Sequence, residues 1–261
     1  MVTTDLGPER RERIVQRVRD RGTVRISALA AELEVSLMTV RRDIATLAEE
    51  GRLERIHGGA RLRGGHVADE PLPSVKGLLS PTAKRAIARL AADQIQPGEV
   101  IGIGSGTTTL IFAEYVARTP GLTVATNSVP VAQRLWELGS ARVILTGGEA
   151  TPSQALAGPI AIQSLQPLHF DTVVLGTHGF DLEAGCTTPN LLEAQMNEAL
   201  LARARRSVVL ADAEKWGVVA LTTFAGLADL DVLVSDSGLS QHARTALADA
   251  EVGLLVAEIG D

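Results

Sequence analysis

The chain has 261 residues, 45% of them hydrophobic, which suits one long or two unequal globular units and excludes wholesale disorder. Aromatic residues at 3% leave little for base-stacking platforms, the single cysteine (Cys186) excludes an internal disulfide, and no apolar run approaches the ~20 residues that span a bilayer. The net charge of −6 is uneven: residues 1–63 carry 13 Arg, no Lys and 10 acidic residues, a net of +3, and the rest carries −9, a pattern that suits a polyanionic partner at one end only.

In chain order, Ile14, Val15 and Val18 share one face of a helix expected over 9–20 and stopped by Gly22. Ile26, Leu29, Ala30 and Leu33 give a short second helix. Ser36 is a good N-cap for a third, where Val40, Ile44 and Leu47 recur at i, i+4, i+7 before Gly51. Residues 52–56 read as a strand turning at Gly58-Gly59, closing a compact unit over 1–62. Between 63 and 81, Gly64, Gly65, Pro71, Pro73 and Pro81 interrupt every period, as in a linker. From 82 to 261, strands are expected at 100–104, 123–126, 142–146, 172–176, 207–211, 232–235 and 253–256. Helices are expected near 83–94, 107–118, 129–138, 191–205 and 241–249. Alternating strands and helices, with strands apolar on both faces, imply a largely parallel sheet covered on each side.

On the third helix the inward Val40, Ile44 and Leu47 turn Thr39, Arg42 and Thr46 outward, with Arg41 toward the flank. Outward Arg and Thr reach guanine edges, thymine methyls or phosphates, and the N–H groups after Ser36 face an anion. Asp43 would repel phosphate, so it is expected to orient an arginine or cap neighbouring structure. Two adjacent arginines alone also fit a solvated helix face.

In the larger unit, Gly104-Ser105-Gly106-Thr107-Thr108 leads from a strand through a turn of small residues into a helix, a geometry that can cradle phosphate. It is neither a Walker loop nor a dinucleotide fingerprint. Asn127-Ser128, Gly147-Gly148-Glu149 and Asp212-x-x-Lys215 each follow an expected strand, and the carboxyl ends of parallel strands converge on one crevice. Of Lys76, Lys84 and Lys215, only Lys215 falls just beyond a strand end, where an ammonium meets an oxyanion. Glu193, opening a helix, either favours the helix N-terminus or accepts sugar hydroxyls.

Arg10-x-x-x-Ile14, Ala30, Val35-Ser36-x-x-Thr39-Val40-Arg41-Arg42-Asp43 and Gly51-x-x-x-Arg55-x-His57-Gly58-Gly59-Ala60 resemble the DeoR family of repressors. The strand-end motifs, with Gly158-Pro159 and Glu193, resemble that family's sensor domain. The resemblance implies a winged helix-turn-helix followed by a mainly parallel, Rossmann-like α/β domain similar to ribose-5-phosphate isomerase. It implies that Ser36, Thr39, Arg41 and Arg42 contact double-stranded operator DNA, with Arg52, Arg55 and His57 as wing candidates. It further implies repression of a carbohydrate operon, a phosphorylated sugar or related metabolite as effector, and a homodimer or higher oligomer in the cytoplasm. Two departures are visible: the family often has Asp where Gly104 stands, and a basic residue where Ala150-Thr151-Pro152 follows the Gly-Gly-Glu. They point to a less common, less phosphorylated effector.

Two other readings remain at this point. Glu193 as base and Asp181 as a second acid would suit a sugar-phosphate isomerase, and Asp181 therefore joins the candidate effector residues. Against catalysis, His178 stands where an isomerase aspartate is expected, and Ala184-Gly185-Cys186-Thr187 replaces its lysine-glycine-rich loop, so the oxyanion equipment is incomplete. The third reading is an architectural DNA binder whose larger unit only oligomerises. No catalytic residue, cofactor or metal ligand set is expected.

Overall fold

The computed structural model describes residues 7–21, 23–50, 52–56, 59–62, 80–139 and 141–259. His57 and residues 63–79 of the expected linker lie outside these.

The first unit is built from α1 (Gly7–Arg21), β1 (Thr23–Arg25), α2 (Ile26–Glu32), α3 (Leu37–Glu49), β2 (Leu53–Ile56) and β3 (Gly59–Leu62). The apolar residues that set the helical periods form its core: Ile14, Val15 and Val18 meet Leu29, Val40, Ile44 and Leu47. Strand β1 was not expected, being a three-residue segment in which no period can register. It pairs antiparallel with β3, giving the order β1-β3-β2. Gly59 permits this pairing, because a Cβ there would lie 2.3 Å from the Val24 carbonyl oxygen.

The second unit opens on α4 (Pro81–Ala92), with Pro81 in the first turn, where its missing N–H costs nothing. There follow β4 (Val100–Ile103), α5 (Thr107–Val116), β5 (Thr123–Thr126), α6 (Val129–Leu138) and β6 (Arg142–Leu145). A hairpin of β7 (Glu149–Ala150) and β8 (Leu156–Ala157) leads to α7 (Pro159–Leu165) and β9 (Phe170–Gly176). Next come β10 (Gly179–Asp181), β11 (Gly185–Thr188), α8 (Leu191–Leu201), β12 (Ala204–Leu210), β13 (Thr222–Ala225), β14 (Val232–Asp236), α9 (Gln241–Asp249) and β15 (Gly253–Ala257).

Seven parallel strands form the central sheet in the order β15-β14-β12-β9-β4-β5-β6. The two-residue strand period divides its side chains cleanly. Val124, Val174, Val208, Leu210 and Val234 pack under α4, α5 and α6, whereas Val173, Leu175, Val209 and Leu233 pack under α7, α8 and α9. A small antiparallel sheet, β10-β11-β13, joins the second layer through Phe180, whose ring meets Trp216 edge-on at 5.4 Å. The chain runs outward from β4 to β6, then returns to β9 beside β4 and runs outward the other way. Strand order therefore reverses between β4 and β9, and a crevice opens at their carboxyl ends.

All seven expected strands and all five expected helices of this unit are present, with boundaries within three residues of those expected except at one helix end. The helix expected to reach 205 ends at Leu201, and β12 begins at Ala204. Pairing of Ala204 with Phe170 on β9 overrides the helix propensity of an Ala/Arg-rich segment.

Candidate functional site

Helix α3 begins as its sequence dictates. Ser36 is extended (φ −68°, ψ 151°), its hydroxyl accepts from Thr39 N at 3.1 Å, and it lies 2.8 Å from the Thr39 hydroxyl. Ser36, Arg41 and Arg42 are exposed and Thr39 is half-buried, so these four share the open side of the helix. Leu37 and Met38 are 49% and 65% exposed at the same end. Sequence reading passed over them, although their place outside the Val40–Ile44–Leu47 stripe was the available signal. Asp43 is buried and takes Arg10 Nε at 2.6 Å, with Arg11 3.9 Å away. The expected arginine-orienting role is thus met by clamping α3 to α1. Arg55 is exposed, but Arg52 forms a bidentate pair with Glu12, both contacts 2.7 Å, which raises its pKa and ties the wing strand to α1. His57 lies outside the described residues.

In the second unit, a cavity of about 260 Å³ occupies the crevice between the ends of β4 and β9. Ser105, Gly106, Thr107 and Thr108 form one wall at the start of α5, where the helix's first N–H groups face inward. Gly106 has φ 144°, a conformation reserved for glycine. The Thr108 hydroxyl is buried with no partner among the described residues, a state that a ligand oxygen would relieve. Lys215 enters from the turn after β12 and donates to the Thr177 carbonyl at 2.7 Å, so its ammonium spans two strand ends. That turn is braced by buried Asp236, which accepts from Ala213 N at 2.8 Å.

Glu193 closes the cavity from the first turn of α8. Asn190 caps that helix, accepting from Leu192 N and Glu193 N at 3.0 and 3.2 Å. The Glu193 carboxylate is buried and receives the hydroxyls of Thr151 and Ser153 from the tip of the β7–β8 hairpin.

Ser105, Gly106, Thr107, Thr108, Glu193 and Lys215 are therefore brought together, and the other effector candidates are not. Gly104 is buried just below the wall, where a Cβ would meet Leu175 Cδ2 at 2.6 Å. Asn127 and Ser128 hold the hairpin: Asn127 Nδ2 donates to the Leu156 carbonyl at 3.1 Å, and Ser128 bridges to Ala155 while capping α6. Gly147 and Gly148 form the bend into the hairpin, and at Gly148 (φ 127°) a Cβ would lie 2.5 Å from the Ala157 carbonyl oxygen. Glu149 is exposed on β7. Asp181 caps the β10–β11 turn through Glu183 N and Ala184 N, which occupies the carboxylate proposed as a second acid.

Lys84, Asn197 and His178 also line the cavity and were not singled out as effector-binding. Lys84 is only 3% exposed and shares one helical stripe with Ile87, Ala88 and Ala91. A lysine in phase with the apolar face of a helix was the signal that could have found it. Cys186 is buried on β11; burial pushes its thiol up to about 12, against weaker opposing effects of the Thr177 hydrogen bond and the Lys215 charge. Among the described residues no cluster of His, Cys, Asp or Glu could hold a metal ion, and no helix is long and apolar enough to cross a membrane.

Comparison with known proteins bears on both units. Residues 10–64 match the DeoR-like helix-turn-helix domain, and residues 80–237 match the DeoR C terminal sensor domain. The chain is 34% identical over 251 residues to the HTH-type transcriptional regulator YgbI of Escherichia coli K12, covering 96% of this chain and 98% of that one. It is 35% identical to the HTH-type transcriptional regulator GlpR of Haloferax volcanii, covering 95% and 96%, and 35% identical to the lactose phosphotransferase system repressor of Streptococcus mutans, covering 87% and 91%. Among solved structures, ribose 5 phosphate isomerase A from Neisseria gonorrhoeae aligns over 51% of this chain and 52% of that one, at 16% identity and a TM-score of 0.39, too low to carry a functional comparison. With both domains matched in order and relatives aligned nearly end to end, the chain belongs to the DeoR family of DNA-binding transcriptional regulators.

Proposed function

We propose that this regulator is a cytoplasmic, dimeric repressor of a carbohydrate operon, released from its operator by a phosphorylated sugar or polyol bound in the β4–β9 crevice. Helix α3 enters the major groove with Ser36, Thr39, Arg41 and Arg42, and exposed Leu37 and Met38 meet thymine methyls. Arg55 and His57 are wing contacts, and Arg52 acts on the wing through Glu12. In the crevice, the wall from Ser105 to Thr108 receives the phosphate and Lys84 and Lys215 balance its charge, while Glu193 takes ligand hydroxyls. Asn127, Ser128, Gly147 and Gly148 act through the hairpin they hold.

One observation carries this reading: the buried Thr108 hydroxyl, without a partner among the described residues, lies on the same cavity wall as a helix N-terminus, and two lysines line the same cavity. A relative named as a lactose phosphotransferase system repressor favours a carbohydrate operon. The test is a gel shift on DNA selected from a random pool, titrated with sugar and polyol monophosphates. At least one such compound is expected to lower DNA affinity and to raise the melting temperature of the full chain. If none does either, the effector reading is wrong.

A further inference from the structure

The cavity is also lined by Ser153, from the tip of the β7–β8 hairpin. Thr151 and Ser153 both donate to Glu193 Oε1, and their own hydroxyl oxygens lie 3.0 Å apart. The tip is a tight turn, with Thr151 N on the Ala155 carbonyl at 2.8 Å and Gln154 N on the Thr151 carbonyl at 2.9 Å. It is fixed to the end of β5, since Val129 N donates to the Gln154 carbonyl at 3.3 Å and Leu156 N to the Asn127 carbonyl at 2.7 Å. Only Ser153 of the pair reaches the cavity surface; Thr151 stands behind it.

Two facts of charge follow. A carboxylate in its ionised form accepts hydrogen bonds and cannot donate them, so in that form Glu193 would favour ligand O–H groups over a second phosphate. The cavity is lined by Lys84, Lys215 and His178 against three carboxylates, Glu193, Asp212 and Glu214, so it holds no excess of positive charge to balance a second phosphate.

We infer that Thr151 and Ser153 are specificity-determining residues: they hold Glu193 as a hydroxyl reader, so that the crevice selects a ligand with one phosphate and a neutral, polyhydroxylated far end, and rejects bisphosphates. This rests on the effector reading above and narrows it. Thr151 is a positioning residue acting through Glu193, while Ser153 also touches the ligand.

Calorimetric titration of the full chain tests it, with inorganic phosphate, a panel of sugar and polyol monophosphates, and fructose 1,6-bisphosphate as probes. At least one monophosphate is expected to bind about tenfold or more tighter than both inorganic phosphate and the bisphosphate, the worth of roughly one hydrogen bond to a charged group. In the Thr151→Ala/Ser153→Ala variant that advantage shrinks by about tenfold while affinity for inorganic phosphate holds, and Ser153→Thr alone retains it. A merely structural role for the tip would lower both affinities together. Thr151→Lys should turn the preference toward the bisphosphate. The inference is overturned if the wild type prefers the bisphosphate, or if the double variant leaves the ratio of monophosphate to inorganic phosphate affinity unchanged. If no phosphorylated probe binds at all, the effector reading itself fails.

Discussion

Replacing Asp43 by alanine removes the buried carboxylate that Arg10 and Arg11 share, and leaves guanidinium charge facing the gap between α1 and α3. Breaking such a pair from one side costs about 3 kcal/mol, so urea unfolding of Asp43→Ala should show a clear drop in midpoint. The neighbouring arginines behave oppositely. Arg41→Ala and Arg42→Ala should leave that midpoint alone and weaken binding to the selected DNA by about 1–3 kcal/mol each where they meet base edges; wild-type affinity in a gel shift would remove them from the interface. Cys186 offers a third single-residue test. Its thiol is raised from 9.0 to about 12 in the folded chain, so it stays protonated and unreactive at pH 8, and alkylation should require unfolding. The sign of its linkage follows: this contribution to stability is complete below pH 9 and is lost as pH rises toward 12. A melting temperature that climbs between pH 9 and 11 would contradict it.

Elements differ in how far their own residues announce them. The helices α3, α4 and α5 and the seven sheet strands carry a period or an apolar run long enough to register, and the crevice could be located because strand ends carry its motifs. The pieces that complete the crevice carry neither. Strand β11, Gly185–Thr188, is fully buried, yet its Gly-Cys-Thr-Thr reads as a turn. The β7–β8 hairpin has two residues in each strand and owes its shape to Asn127 and Ser128, whose contacts with it span nearly thirty positions. Residues chosen as ligands from strand-end position alone therefore divided into wall and support, and only tertiary packing decides which is which. Lys84 was hidden for the converse reason, since it lies on a helix rather than at a strand end. A support residue is predicted to matter as much as a wall residue. Gly148→Ala combines a left-handed φ of 127° with a 2.5 Å clash against the Ala157 carbonyl, so it should displace Ser153 from Glu193. Monophosphate affinity should fall about tenfold with DNA affinity intact; unchanged calorimetric affinity would show that the hairpin is not a wall of the site.

Across the whole molecule, the effector crevice and the DNA-reading unit have a shared point of attachment. Ser80 directly follows the segment leading from the first unit, and its hydroxyl donates to Glu214 at 3.1 Å. Glu214 lines the crevice beside Lys215, and Lys84 reaches the same crevice from the helix that starts after Ser80. Under the proposed function, a ligand at the two lysines would bear on the residues that hold Ser80 at the base of the connecting segment. Ser80→Ala is predicted to preserve both DNA affinity and effector affinity while reducing the effect of one on the other, out of a coupling of about 1–3 kcal/mol. Gel shifts with and without effector measure this, and an undiminished response would rule the contact out as a relay. A parallel sheet has a second consequence, for handling the protein. With every strand pointing the same way, the turns that enter β4 and β5 gather on the side away from ligand, and Gly98 N meets the Pro120 carbonyl there at 3.0 Å. Pro120 and Gly121 are exposed and contribute nothing to the crevice, so a dye or surface tether can be spliced between them without disturbing what the opposite edge recognises.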